Sequence, residues 1–405
     1  MSAPLETDLE FAVTGRRESF FAPDITRCAD ALESAVRGRR ILVIGGGGSI
    51  GKATTEALLR RRPAAMHVVD LSENYLAELI RDIRSGSFDA GGIELQTHVF
   101  DYGSAIMRRF LSAMPCFDVI LNFAAVKHVR SEKDACSLLH MLDVNIARQA
   151  RFKRWLAETG HRGRYFTVST DKAANPVSLM GASKRVMEDV AFDVAPGAFA
   201  AVTSARFANV AFSNGSLLQS FLVRVAKRQP LAVPRATRRY FIAHAEAADI
   251  CLLASLIAPP GHLLVPAFDP NEHLLLLEDV AERVLAACGF EARFFDDEAE
   301  AKRAVATEAT RGRWPVLRTP LDTSGEKPYE EFVGVGEALV DVGLVSLQAV
   351  RHRAEGDLDG VLAELQRLID DHTAAVDKQE LAQLISRAVP TMRHIETGRS
   401  LDQRM

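Results

Sequence analysis

Cysteine is scarce: Cys28, Cys116, Cys136, Cys251 and Cys288 are the only five in 405 residues, with no CxxC pair and no spacing that suits a metal. They are expected to be reduced thiols in a cytoplasmic protein, with no metal site. No stretch approaches the ~20 consecutive apolar residues of a membrane span. The most apolar run, LLLLEDVAERVL (274–285), is broken by charge after four positions. The opening MSAPLETDLEF carries acids early and lacks a basic start followed by an apolar run, which argues against an ordinary secretory signal. Basic charge is not in excess either. The formal net charge of −4 gives no reason to expect nucleic acid as the main partner. Internal repeats and low-complexity segments are absent.

What remains has the composition of an ordinary folded protein, 48% hydrophobic and 25% charged, and enough length for two to three domains. Residues 1–38 read as a mostly helical preface, clearest over Asp30 to Val36. From Arg40 short apolar runs alternate with amphipathic stretches, the pattern of parallel βαβ units. Candidate strands are ILVIG (41–45), MHVVD (66–70), LQTHVF (95–100), VILNFA (119–124), RYFTVS (164–169) and AAVTSARFA (200–208). Helices are expected over 51–61, 73–85 and 143–158. Strands this apolar fit a sheet covered by helices on both faces. The expected fold is therefore α/β, a Rossmann-type doubly wound parallel sheet over 39–212. Beyond Phe212, prolines at 230, 234, 259, 260, 266 and 270 cut the chain into short pieces, expected to form a smaller α/β substrate-binding region over 213–335. The tail 336–405 is expected to be helical, with Val361, Leu362, Leu365, Leu368 and Ile369 on one apolar stripe that packs on the core or on a neighbouring subunit.

The segment ILVIGGGGSIGKATTEALL sets Gly45, Gly48 and Gly51 in a GxxGxxG spacing between a strand and a helix. Glycine there permits a tight turn and lets backbone approach a pyrophosphate at a helix N-terminus. The second strand ends in Asp70, 19 residues after Gly51. A carboxylate at that place accepts hydrogen bonds from ribose hydroxyls and repels a 2′-phosphate, so the expected cofactor is NAD rather than NADP. The arginine run Arg60–Arg62 ends a helix and reads as a solvated cap.

Three further segments carry chemistry: NFAAVKHV (122–129), VSTDKAANPVSLMGASKRVMED (168–189) and ARFANVAFSNGS (205–216). With the glycine loop, Asn145 in DVNIAR, RRYFI (238–242) and SGEKPYEEF (324–332), the chain resembles the polysaccharide-biosynthesis branch of extended short-chain dehydrogenases, whose characterised members are UDP-N-acetylglucosamine 4,6-dehydratases and close relatives. The resemblance spans roughly residues 40 to 333 in consistent order. It implies oxidation of the hexose at C4, loss of water across C5 and C6, and reduction at C6 with NAD restored.

By this resemblance Thr170 holds the sugar C4 hydroxyl, Asp171 donates a proton at C6, Lys172 is the C5 base and Lys184 binds the nicotinamide ribose. Ser49, Ile50 and Ala124 join the glycines and Asp70 around the cofactor. Lys127, Asn209, Ser216, Arg239 and Glu326 are implied on the UDP-sugar side, with Lys327 beside Glu326; His128 is as well explained by structure as by function. A free lysine titrates near ~10.4, so a base at Lys172 calls for burial or a nearby cation, for which Lys184 is the expected source. Two departures stand out. Met180 occupies the place of the tyrosine in Tyr-x-x-x-Lys and cannot carry a proton. TSGEK (323–327) replaces the more usual RPGEK, which removes an arginine contact. The alternatives are a nucleotide-sugar C4 epimerase and a non-catalytic NAD-binding regulatory protein. The helical flanks suggest a homo-oligomer.

Overall fold

In the computed structural model, which describes residues 5–86, 90–127, 129–373 and 375–396, the six apolar runs form parallel strands. They are β1 (Arg40–Ile44), β2 (Ala65–Asp70), β3 (Glu94–Val99), β4 (Val119–Asn122), β5 (Arg164–Thr170) and β6 (Ala201–Phe207). Their order across the sheet is β3-β2-β1-β4-β5-β6, all parallel, with the chain reversing its direction of travel between β1 and β4. Ligands bind outside the carboxyl ends of strands at such a switch point. Ile41, Leu42, Val43 and Ile44 are all buried, as expected for a strand covered on both faces.

Three more strands widen the sheet beyond β6. His262–Pro266 runs parallel to β6, Leu347–Arg351 pairs antiparallel with it, and Leu339–Val340 forms the edge. The sequence reading missed all three. Pro259 and Pro260 precede the first strand and Pro266 is its last residue, so none interrupts it, and a short run between prolines reads as a broken loop. The segment after 336 therefore opens with two strands before its helices Leu358–Asp370 and Lys378–Ala388.

The helix expected over 143–158 starts as a π-helical turn, Asp143–Ala147, and continues as Arg148–Glu158. Single π turns inside helices are frequent at functional sites. Between 209 and 319 lie two small sheets. Glu291–Phe295, Arg313–Thr319 and Leu231–Pro234 form one; Leu274–Leu276, Arg238–Ile242 and Asn209–Val210 form the other. The N-terminal helix Glu6–Thr14 buries Leu9 and Val13 against Val280 and Val284 of helix Leu277–Ala287, and so joins this region.

The C-terminal stripe finds its partner within the chain. Val361, Leu365, Leu381 and Ile385 are fully buried against Leu138 and Met141 and against Leu179 and Met180 of helix Leu179–Phe192. The face that suggested a neighbouring subunit is thus already covered, and an assembly would have to use another surface. Among the described residues no helix is long and apolar enough to cross a membrane.

Candidate active site

The switch point is built by steric demand. Gly45 has φ +72°, and a Cβ there would sit 2.8 Å from the backbone N of Ala124, so the chain leaving β1 can pass the chain leaving β4 only as glycine. A Cβ on Gly51 would fall 2.3 Å from the Gly45 carbonyl oxygen. Gly46 and Gly47, which the spacing argument passed over, are equally constrained, by Val68 at 2.3 Å and Tyr75 at 2.7 Å. Gly48 differs: a Cβ there meets only the Gly45 oxygen, at 3.5 Å. The protein leaves that side open, and helix Ser49–Leu59 begins beside it with no side-chain cap. Uncapped N–H groups beside an open glycine form a seat for an anion such as a pyrophosphate.

Asp70 stands against this loop. Its Oδ2 accepts from Gly47 N at 2.9 Å and its Oδ1 from Ser72 N at 2.9 Å, which leaves each oxygen a lone pair for a hydroxyl. The residues fit a dinucleotide whose ribose hydroxyls reach a carboxylate. Asp70→Ala is expected to narrow a preference for NAD(H) over NADP(H), read by titrating both cofactors. Wild-type protein that binds NADP(H) tenfold more tightly, a difference of about 1.4 kcal/mol, would overturn the ribose assignment.

The rest of the cleft floor is pinned from behind. Ala124 N donates to Asn122 Oδ1 at 3.0 Å. Asn145, in the π turn, accepts from Val126 N at 2.8 Å and donates to Val126 O and to Ser183 Oγ. Ser49 Oγ accepts from Asn214 N at 3.0 Å and joins the glycine loop to the 213–216 segment, while Ile50 is half-buried in the first turn of the helix. Lys127 extends from the floor, exposed, with its pKa lowered by partial desolvation. His128 lies outside the described residues.

At the carboxyl end of β5 two side chains converge on one oxygen of the Asp171 carboxylate. Thr170 Oγ1 donates to Asp171 Oδ1 at 2.8 Å, and Lys172 Nζ donates to the same oxygen at 3.0 Å. Asp171 is 1% exposed, and its Oδ2 accepts no hydrogen bond from the described residues. A buried acceptor in this state calls for a partner, which a hydroxyl donor entering the site would supply. Burial pulls Lys172 down, but the carboxylates of Asp171 and Glu330 outweigh both that and the opposing charge of Arg239, so its pKa is raised. The expected depression of Lys172 is therefore not found. Nor does Lys184 act on it: Lys184 Nζ donates to Val168 O at 2.9 Å and contacts Met187 Sδ at 3.0 Å, and burial lowers its pKa to about 8. Met180 is 3% exposed and packed among Leu138, Leu142 and Leu384, so an apolar side chain fills the place of the tyrosine.

On the opposite wall, Asn209 Nδ2 donates to Tyr240 O at 3.1 Å and Ser216 caps helix Leu217–Ala226. Glu326 Oε2 accepts from Thr323 N at 3.1 Å and closes its own turn. Arg239 donates to Lys327 O at 3.0 Å and Pro328 O at 3.2 Å, which ties Arg238–Ile242 to the 327–330 segment. Of the expected substrate contacts, the structure brings Arg239, with its neighbour Lys327, into the electrostatic surroundings of Lys172 through Glu330.

Behind the site lies an ionic network that sequence reading missed. Fully buried Arg206 forks onto Glu188, Nε to Oε1 at 2.9 Å and one terminal nitrogen to Oε2 at 2.8 Å, and also donates to both oxygens of Glu337 and to Phe332 O. Arg185 joins both carboxylates, and Ser169 Oγ donates to Glu188. The network locks β5, β6, helix Leu179–Phe192 and the 332–337 segment together around Lys184. An arginine inside the apolar run AVTSARF was the available signal.

Comparison with known proteins places these features. The family described as polysaccharide biosynthesis protein matches residues 41–340. A protein of Methanocaldococcus jannaschii, named uncharacterized membrane protein MJ1061, is 26% identical over 312 residues, covering 73% of this chain and 80% of that protein. The inverting UDP-N-acetylglucosamine 4,6-dehydratase of Campylobacter jejuni is 28% identical over 209 residues, 50% of this chain and 59% of that enzyme. Among solved structures, DesIV, a dTDP-glucose 4,6-dehydratase from Streptomyces venezuelae with NAD and TYD bound, superposes with a TM-score of 0.54 at 16% identity, over 82% of this chain and 97% of that one. At that identity the likeness shows the shared fold.

Proposed function

This chain belongs to the polysaccharide biosynthesis protein family, and from that membership we propose that it is an NAD-dependent nucleotide-sugar 4,6-dehydratase acting on UDP-N-acetylglucosamine. The observation that carries the proposal is the Thr170–Asp171–Lys172 cluster, an acid and a base 3.0 Å apart at the carboxyl end of a central strand. NAD+ in the glycine-loop cleft supplies the redox chemistry at the sugar C4 and C6.

The residues account for the elimination between those steps. A ketone at C4 makes the C5 proton acidic. In the free protein Lys172 is an ammonium, held so by Asp171 and Glu330. One proton shift along the 3.0 Å bond from Lys172 Nζ to Asp171 Oδ1 turns the ion pair into an amine and a carboxylic acid. That pair is the form the elimination requires. The amine takes the C5 proton while the acid protonates the departing C6 oxygen; the C6–O bond breaks, the C5–C6 double bond forms and water leaves. Lys172 ends as ammonium and Asp171 as carboxylate, so the elimination restores the resting ion pair. The ammonium then supplies the proton that C5 needs when C6 is reduced, and the proton released from the C4 hydroxyl on oxidation makes up the balance. Thr170, bonded to the same Oδ1, is placed to orient the C4 hydroxyl. Arg239 and Lys327 face the nucleotide diphosphate with fixed donors.

An epimerase would return hydrogen to C4 and has no use for an acid–base pair directed at C5 and C6. Purified protein incubated with UDP-N-acetylglucosamine is expected to yield, by mass spectrometry, a product lighter by one water. A product of unchanged mass with altered C4 stereochemistry would favour the epimerase.

A further inference from the structure

Glu330 exchanges no proton in the steps above, yet its carboxylate gathers three cations from three separate segments. Oε1 lies 3.8 Å from Lys172 Nζ and 3.9 Å from a terminal nitrogen of Arg239, and Oε2 lies 2.8 Å from Lys327 Nζ. The side chain is 4% exposed, and a carboxylate so buried persists as an anion only with partners. Those partners are held in turn: Lys327 Nζ also donates to Asn175 O at 3.2 Å, and Arg239 to Lys327 O. The groups facing Lys172 are Asp171 from its own turn, Glu330 from the 327–330 segment and Arg239 from the strand Arg238–Ile242. Next to Arg239 is Tyr240, whose phenol is raised by burial, Glu331 and Asp171. Three cations against the two carboxylates leave one positive charge, the sign an incoming diphosphate requires.

We propose that Glu330 is the positioning residue for Lys172, holding its ammonium beside Asp171 and stabilising the positive charge that Lys172 gains when it takes a substrate proton. The role is comparable to that of the carboxylate behind the general base in hydrolase triads, here acting through charge at 3.8 Å rather than through a hydrogen bond. Asp171 cannot fill this role alone, because it holds a proton when the amine starts to take the C5 hydrogen and regains its charge only as it gives that proton up. Glu330 takes no part in the proton transfers and also pairs with the two cations expected on the diphosphate side. The catalytic half of the proposal rests on the dehydratase reading; the electrostatic half stands on the free protein.

The test separates the two. Full-length protein without nucleotide is acylated briefly at pH 9 with a trace of acetic anhydride, and the Lys172 peptide is quantified by mass spectrometry against the exposed Lys227. Removing an opposite charge within 4 Å lowers a lysine pKa by roughly one unit or more, so Lys172 in Glu330→Gln should acylate roughly tenfold faster than in wild type. Glu330→Asp keeps the charge one methylene further back and should fall between; it also serves if the glutamine variant does not fold. With substrate present, the limb of the water-loss pH profile governed by Lys172 should move to lower pH in the same order. Unchanged Lys172 reactivity in both variants overturns the proposal, even if the wild type eliminates water. Faster acylation in a protein that dehydrates no sugar nucleotide upholds the electrostatic half of the proposal and sinks the dehydratase reading together with the catalytic half.

Discussion

Lys172→Met is expected to slow water loss by roughly 10²- to 10⁴-fold, the usual contribution of a positioned general base. Methionine keeps the apolar stem but removes the only group on this turn able to take the C5 proton. Oxidation at C4 should survive better, because Lys172 is not needed for it, so the variant given substrate should accumulate NADH, visible by its absorbance. Asp171→Asn should also slow elimination, since an amide can neither accept the proton from Lys172 nor pass it to the C6 oxygen. It should damage C4 oxidation as well if Asp171 takes over proton transfer from the tyrosine that Met180 replaces. Near-normal turnover by Lys172→Met would require a different base.

Arg206→Met is expected to destabilise the fold by about 3–5 kcal/mol, the range for stripping one partner from a buried ionic network. Glu188 is fully buried and Glu337 nearly so, and of the two arginines only Arg185 would remain to pair with both. Urea unfolding followed by circular dichroism gives the loss as a lower midpoint. The double variant Arg206→Met with Glu188→Gln should be more stable than Arg206→Met alone, because the stranded charge is gone. Simple addition of two losses would contradict the network. The pH dependence has a definite sign. Burial pushes Glu337 up, but the hydrogen bonds and charge of Arg206 outweigh it and bring its pKa down to about 2. A carboxylate depressed on folding contributes stability that is complete above its unfolded value, near ~4.3, and is lost as pH falls through the folded value. Wild type should therefore lose this contribution between about pH 4.5 and 2, and Arg206→Met should lack it across that window.

Six strands of the central sheet were legible as short apolar runs, which strands covered on both faces write, and helix Glu73–Ser85 was legible from its strong amphipathic pattern. The glycine loop, Asp70 and the Thr170–Lys172 turn were legible because they are local strings whose spacing survives in one dimension. The charge partners were not. Arg206 and Glu337 are 131 residues apart in sequence, and nothing in either neighbourhood names the other. Glu330 sits in a recognisable string, but which cations it meets depends on how the strand Arg238–Ile242 docks on the 327–330 segment. Similarly, the tail stripe announced that it would be covered without saying by what. The expected help from Lys184 failed for a reason of direction: its ammonium turns back to Val168 O, and the cation that acts on Lys172 comes from Arg239.

The most direct test of the elimination at Asp171 and Lys172 is the fate of hydrogen during turnover in heavy water. Wild-type protein with UDP-N-acetylglucosamine should give a product one water lighter that carries deuterium from solvent at C5, while the hydrogen newly placed at C6 derives from the substrate's own C4; both positions are read by NMR. A product that has lost water but carries no deuterium at C5, or one labelled nowhere with its mass unchanged, would contradict the account.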